Sequence, residues 1–318
     1  MQIKPLFAAG ILAGSALTPP AQAKEYPRQP IQVVVPYAAG GNLDVTARAI
    51  AQPLAEALKG SVVIVNKPGA GGSVASTYVS RAKPDGYTVM ITANTELSVT
   101  PYITGAPYSM DSFASVGTIN TVPMLIEVHP DSKYRQIGEL IKAACAQPDT
   151  VTMGVAGIGS VNYMALRFLE QATQCRFRMV PYQGSGPAVT ALLGNQVDAV
   201  IDQVSSSQSY LRTGKLRALA MMSPQRPAGW EDVPTLAESG IEGADMATMA
   251  ALVTPKDVSE DIRNKLSAAL KLALSDARVQ ENIKALGGIP YTAEHDDFMA
   301  EIKPLRALAE KYKAEGRL

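Results

Sequence analysis

Three glycine-bearing segments carry the chemical promise of this sequence. They are Pro36-Tyr37-Ala38-Ala39-Gly40-Gly41-Asn42, Asn66-Lys67-Pro68-Gly69-Ala70-Gly71-Gly72-Ser73 and Gly154-Val155-Ala156-Gly157-Ile158-Gly159-Ser160. Each follows an apolar run suited to a strand and precedes a helical pattern. Glycine lets the chain turn sharply and lets backbone approach a ligand. The free N–H groups at the following helix start then make an anion site from fixed dipoles. The simpler reading is three tight strand-to-helix turns. A nucleotide site finds little support. The second segment lacks a Gly-Lys-Ser/Thr ending, and the third has Asn162 where a dinucleotide fingerprint needs its last glycine.

Other chemistries are poorly supplied. The chain has 2 His and 2 Cys, too few for a zinc site or a His-Glu-x-x-His helix. Gly157-Ile158-Gly159-Ser160-Val161 is not a nucleophile elbow. A base for Ser160 would have to be His129, next to Pro130, or His295, among Glu294, Asp296 and Asp297, and both read as surface or capping residues. With 29 basic and 29 acidic side chains, the formal charge is zero. A nucleic-acid partner, which needs a basic face, is therefore not expected.

The elements that must position the segments alternate in type. Strands are expected at 31–35, 62–65, 87–92, 116–119, 124–128, 151–155, 177–180, 198–201 and 216–221. The first helix shows apolar Leu43, Ala47, Ile50, Leu54 and Leu58, with Asn42 as its cap and Asp44 in its first turn. The last third reads as mainly helical, at 260–274, 276–286 and 295–314. Strand–helix alternation implies the α/β class, with parallel sheets faced by helices. Two stretches could be hinges: the extended 120–123 and the small-residue 240–249.

Residues 1–23 read as a signal peptide. Lys4 precedes an apolar run from Leu6 to Leu17, then Pro19-Pro20 and the small-x-small Ala21-Gln22-Ala23. The run is shorter than the roughly 20 residues of a membrane span, and no later stretch reaches that length. The expected compartment is the periplasm. A disulfide is feasible there. Cys145 ends one helical pattern and Cys175 follows another, so the two could lie side by side on one sheet. Two buried thiols are the alternative.

The ordered motifs resemble the Bug receptors, the extracytoplasmic substrate-binding proteins of tripartite tricarboxylate transporters. The resemblance begins with Tyr26-Pro27, Pro30-Ile31 and Val34-Val35-Pro36-Tyr37-Ala38-Ala39-Gly40-Gly41, with Asp44 and Ala47-Arg48. It continues through Asn66–Gly72, Pro84-Asp85-Gly86-Tyr87-Thr88 and Gly157-x-Gly159-Ser160. Next come Pro181-Tyr182-Gln183-Gly184-x-Gly186-Pro187-Ala188 and Leu192-Leu193-Gly194-Asn195-Gln196-Val197-Asp198. Gly214–Ala220 and Asp232-Val233-Pro234-Thr235 complete it.

The resemblance implies a type II periplasmic-binding-protein-like α/β fold. One lobe would be 24–121 with 248–318, the other 122–247, and they would flank a ligand cleft with two hinge crossings. It implies a di- or tricarboxylate, an acidic amino acid or an aromatic acid as ligand. It also implies membrane transporter subunits as partners, a monomer, no cofactor and no turnover. Carried over by position, the ligand-binding residues are Tyr37, Ala38, Ala39, Gly40, Gly41, Asn42, Ala70, Gly71, Gly72 and Ser73. Thr92 and Asn94 would lie near the cleft floor, with Gly159, Ser160, Tyr182 and Asp202 opposite. The chain departs from the family where Tyr163 replaces a usual His, Arg167 a Glu and Met249 a common Trp. It also has Pro107-Tyr108-Ser109-Met110 in place of a Pro-Tyr-Asp segment. A sensory receptor and a secreted α/β hydrolase are the other readings.

Overall fold

The computed structural model describes residues 26–291 and 298–315. The expected leader and His295 lie outside them. The chain runs β1 (Ile31–Val35), α1 (Asn42–Ala57), β2 (Val62–Asn66), α2 (Ser73–Ser80), β3 (Thr88–Ala93), α3 (Asn94–Ser98), α4 (Thr100–Thr104) and β4 (Phe113–Val128). It continues with α5 (Ile137–Ala146), β5 (Thr152–Val155), α6 (Val161–Thr173), β6 (Arg178–Pro181), α7 (Ser185–Leu193), β7 (Ala199–Gln203), α8 (Val204–Arg212) and β8 (Arg217–Met221). The last part is β9 (Ala247–Pro255), α9 (Glu260–Ser275), α10 (Ala277–Ala285), β10 (Ile289–Pro290) and α11 (Phe298–Ala314).

The strands form two groups that share β4. In the first the order is β2-β1-β3-β9-β4, with β10 on the far side of β4. In the second, β4 pairs with β7 and β8, and β5 and β6 extend the β7 side. The first β-α-β units are parallel, as the alternation predicts. Apolar residues on successive strand positions bury both sheet faces. Ile31, Val33 and Val35 pack with Leu43, Ala47, Ile50 and Leu54 of α1. Val34 and Met90 turn the other way, towards Ala75 and Val79 of α2 and Phe298 and Ile302 of α11.

Two expectations are corrected. Residues 116–119 and 124–128, expected as two strands, belong to one continuous strand, β4, which runs through the extended 120–123. Pro123 interrupts the sequence pattern because it has no amide to donate. It is tolerated where β4 leaves β9 (Pro123 opposite Ala247) and takes up β7 at Met124. The last third also contains β9, antiparallel between β3 and β4. Its alanine-rich start, Ala-Thr-Met-Ala-Ala, carries a weak strand signal. Its position between β3 and β4, with Ala250 and Ala251 buried on opposite faces, favours those alanines.

The structure joins Cys145 to Cys175, with Cα atoms 4.6 Å apart. Among the described residues no helix is long and apolar enough to cross a membrane.

Candidate functional site

The glycine segments converge where the two strand groups meet. The segment after β1 is braced from below by Asp44. Its carboxylate accepts from the Gly40 amide and Arg48 Nε, both at 3.0 Å, and from Asn66 Nδ2 at 2.9 Å. Asn66 Nδ2 also lies 3.0 Å from the Tyr37 carbonyl oxygen. Burial pushes the Asp44 carboxyl up, but the bonds from Arg48, Gly40 and Asn66 outweigh it and hold it below its ordinary value. Asp44 therefore shapes the loop.

Thus braced, the loop meets the segment after β6. The Ala38 amide donates to the Gln183 carbonyl at 2.9 Å. A Cβ added to Gly186 would lie 2.5 Å from the Ala39 carbonyl oxygen. The loop after β2 meets the loop after β5 just as closely. A Cβ on Gly71 would lie 1.9 Å from the Ile158 carbonyl oxygen, and Gly71 has φ 60°. Only glycine permits these backbone contacts.

A small cavity of about 20 Å³ lies between the groups. Tyr37, Gly41, Asn42, Glu96, Asn162, Ser185, Gln203 and Thr248 supply most of its wall. No Lys, Arg or His is among the residues lining it. The N-terminus of α1 opens here. Its N-cap is Gly41, which has no side chain to cap the first-turn N–H groups. Asn42 Oδ1 accepts from the Ser205 hydroxyl at 2.7 Å, whereas Asn42 Nδ2 is buried without a protein acceptor. A buried amide donor without an acceptor is costly. An α-helix start and an unmatched N–H donor together suit a small anion.

The far wall is a connected polar network. Gln203 Nε2 donates to Asn162 Oδ1 at 3.2 Å and to Thr248 Oγ1 at 2.8 Å. The Ser185 hydroxyl donates to Gln203 Oε1 at 3.0 Å. Such a network fixes rotamers, so the wall keeps its shape.

Tyr37, Gly41 and Asn42 of the expected residues line this inner cavity. Tyr37, Ala70, Gly71 and Tyr182 line an outer chamber of about 220 Å³. Ala39, Gly40 and Tyr182 border a third, of about 550 Å³, at the rim. The others are placed differently. Ala38 is engaged with Gln183, Gly72 lies against Glu96, and the Ser73 hydroxyl bonds Thr104 at 2.9 Å. Thr92 is fully buried. Asn94 ties α3 to β9, donating to the Ala247 carbonyl and accepting from the Met249 amide. The Gly159 carbonyl accepts from Thr100, at 2.9 Å. Ser160 caps α6, accepting from the Tyr163 amide and donating to the Gly157 carbonyl. Asp202 is fully buried behind Asn162, because strand alternation gives the cavity wall to its neighbour Gln203. His129 Nδ1 accepts from the Asp131 amide.

Sequence reasoning missed Glu96, Asn162, Ser185, Gln203 and Thr248 as wall residues. Ser185 could have been found between its two glycines. Thr248 could have been found by strand parity against Met249, had β9 been seen. Of the four departures, Tyr163 and Arg167 stack on each other at 5.0 Å, Arg167 also pairs with Glu170, Met249 packs against the core, and Tyr108 and Met110 are buried in it.

Residues 46–311 match the family described as the tripartite tricarboxylate transporter family receptor. Protein BugT of Bordetella pertussis is 32% identical over 291 residues, covering 90% of this chain and 88% of the relative. The structure of the periplasmic binding protein BugD superposes with a TM-score of 0.86 at 32% identity, covering 92% of this chain and 99% of that one. MatC from Rhodopseudomonas palustris, solved with bound malate, superposes with a TM-score of 0.85 at 28% identity, covering 91% and 99%.

Proposed function

The chain belongs to the tripartite tricarboxylate transporter receptor family, and on that premise we propose that it captures a small carboxylate outside the cytoplasm and delivers it to membrane transporter subunits. One observation carries the reading. The uncapped start of α1 and the unpartnered Asn42 amide face a cavity that holds no basic side chain. Backbone dipoles and an amide can hold a carboxylate without a countercharge. The site binds and releases. Ser160 is occupied as a helix cap, and no general base stands beside it among the described residues.

In this reading 24–121 with 248–318 forms one lobe and 122–247 the other. β4 and β9 are the crossings. Ligand binding brings the lobes together, and the glycine contacts let them meet. The leader sends the chain to the periplasm as a monomer, a compartment where the Cys145–Cys175 bond persists.

A thermal-shift panel tests the carboxylate claim. Malate, citrate, glutamate and benzoate are compared with their neutral amides. A bound acid at a hundredfold excess over Kd stabilises the fold by about 2.7 kcal/mol. At least one acid raises the melting temperature and its amide does not. Stabilisation by amides alone would overturn the proposal.

A further inference from the structure

Glu96 is the ionisable outlier of the inner cavity. It is fully buried, lines the cavity, and has no cation beside it on that wall. Its Oε2 accepts from the Ala93 amide at 2.6 Å, which closes the start of α3. Its Oε1 meets the Tyr37 hydroxyl. That same hydroxyl lies 3.2 Å from the Gly71 carbonyl oxygen. A phenol has one proton to give. With Glu96 ionised, Tyr37 serves one of the two acceptors and leaves the other short. With a proton on Oε1, Glu96 donates to Tyr37, Tyr37 donates to Gly71, and each oxygen of the chain is matched. The relay then ties two of the glycine loops together through Tyr37.

The surroundings agree. Among the described residues, α2, α4, β3 and β9, all packed near α3, contain no charged side chain. The Tyr108 hydroxyl donates to the Glu96 carbonyl oxygen at 2.8 Å. Arg167 and Glu170 of α6 pair with each other. On α11, Phe298 and Ile302 face the core. Its charged groups lie outward: Glu301 meets Tyr291, Arg306 pairs with Asp111 and Glu310, Lys311 with Glu315, Lys313 lies over Tyr102, and Lys303 is exposed. Burial pushes the Glu96 carboxyl up, and the bonds from Tyr37, Ala93, its own amide and Thr92 only partly reverse this.

We propose that Glu96 determines which charge the cleft accepts: as a neutral acid it admits a carboxylate beside Tyr37, and once ionised it turns that carboxylate away. The inference rests on the carboxylate reading of the same site. Two buried anions side by side, with no cation lining the cavity, repel strongly in a low dielectric. Binding therefore takes place with Glu96 protonated, and affinity depends on pH with a slope of one proton.

The test is calorimetric titration of malate, glutamate and benzoate between pH 6 and 9, where their carboxyls are ionised. It is run on the intact protein and on Glu96→Gln, which mimics the neutral acid. An infrared difference spectrum between the two proteins reports the protonated carboxyl directly. We expect the carboxyl band in the wild type at pH 6. Affinity should fall about tenfold per pH unit once Glu96 ionises, and should stay flat in Glu96→Gln. Should Glu96→Gln not fold, Glu96→Ala removes the titrating group instead, and its affinity should likewise stay flat between pH 6 and 9. A bound acid with no band at pH 6, or with a flat wild-type profile, overturns the inference and leaves the carboxylate reading standing. A band with no acid bound at any pH overturns both.

Discussion

Replacing Gly186 with Ala separates closure from folding. Gly186 is the second residue of α7 and has a negative φ, so alanine fits its backbone. Within a helix, alanine is favoured over glycine by about 0.5–1 kcal/mol. The fold of 122–247 should therefore be unharmed. The contact between the groups should not. The new Cβ would lie 2.5 Å from the Ala39 carbonyl oxygen and 3.4 Å from the Gly40 carbonyl carbon. Relief needs a shift of about 1 Å at this contact, against a loop braced by Asp44 and Asn66. Overpacking of this kind costs about 1–3 kcal/mol. It acts on the closed form alone, so ligand affinity should fall roughly 5- to 150-fold. The assay is calorimetric titration of whichever acid stabilises the wild type, beside a melting curve of the free protein. Gly138→Ala is the matched control: it is also the second residue of a helix, α5, and an added Cβ there meets nothing within 4 Å. Gly186→Ala with wild-type affinity would refute the claim that these loops must meet for binding.

Two further outcomes follow from the core. Unfolded, unreduced protein should contain no titratable thiol, and breaking the Cys145–Cys175 bond with Cys145→Ala and Cys175→Ala should destabilise the fold by about 3 kcal/mol, read from denaturant melts. Glu127 and Asp202 are fully buried next to each other, with Glu127 Oε1 and Oε2 and Asp202 Oδ2 unpartnered. Burial first, and mutual repulsion second at Glu127, raise both carboxyls, Asp202 to about 6. The folded form thus holds protons more tightly than the unfolded chain. Stability from this pair is full below the unfolded value of about 4 and is lost as pH rises through the raised values. Glu127→Gln should flatten that decline and stabilise the protein at neutral pH. A decline of unchanged steepness would show that the pair is not its cause.

Much of the first strand group was legible because its signals are local. β1 and α1 announce themselves by an apolar run and a three-and-four spacing, and the intervening glycines mark the turn. The disulfide was legible as a juxtaposition of two helix ends. What stayed hidden depends on partners distant in sequence. β9 is a strand because β3 and β4 enclose it, and its Ala-Thr-Met-Ala-Ala start has little strand preference of its own. Thr248 followed it out of view. Glu96 looks like an ordinary acid in a helix start until Tyr37, 59 residues away, is brought onto its carboxylate. Asp202 and Gln203 are adjacent in sequence, and only the register of β7 against β4 decides which one reaches the cavity. Family position pointed to Asp202, whereas strand parity points to Gln203.

In the proposed function a carboxylate is held by the Asn42 amide and the first turn of α1. Asn42→Asp tests it most directly. The substitution keeps the oxygen that accepts from Ser205, keeps the size of the side chain, and suits a helix start. It replaces the donor facing the cavity with a negative oxygen. Losing a hydrogen bond to a charged group costs about 1.5–3 kcal/mol, and repulsion adds to it. Calorimetric titration should show the affinity of Asn42→Asp for the bound acid reduced by at least roughly tenfold, the lower end of that loss. Equal affinity of the two proteins for that acid would contradict the account.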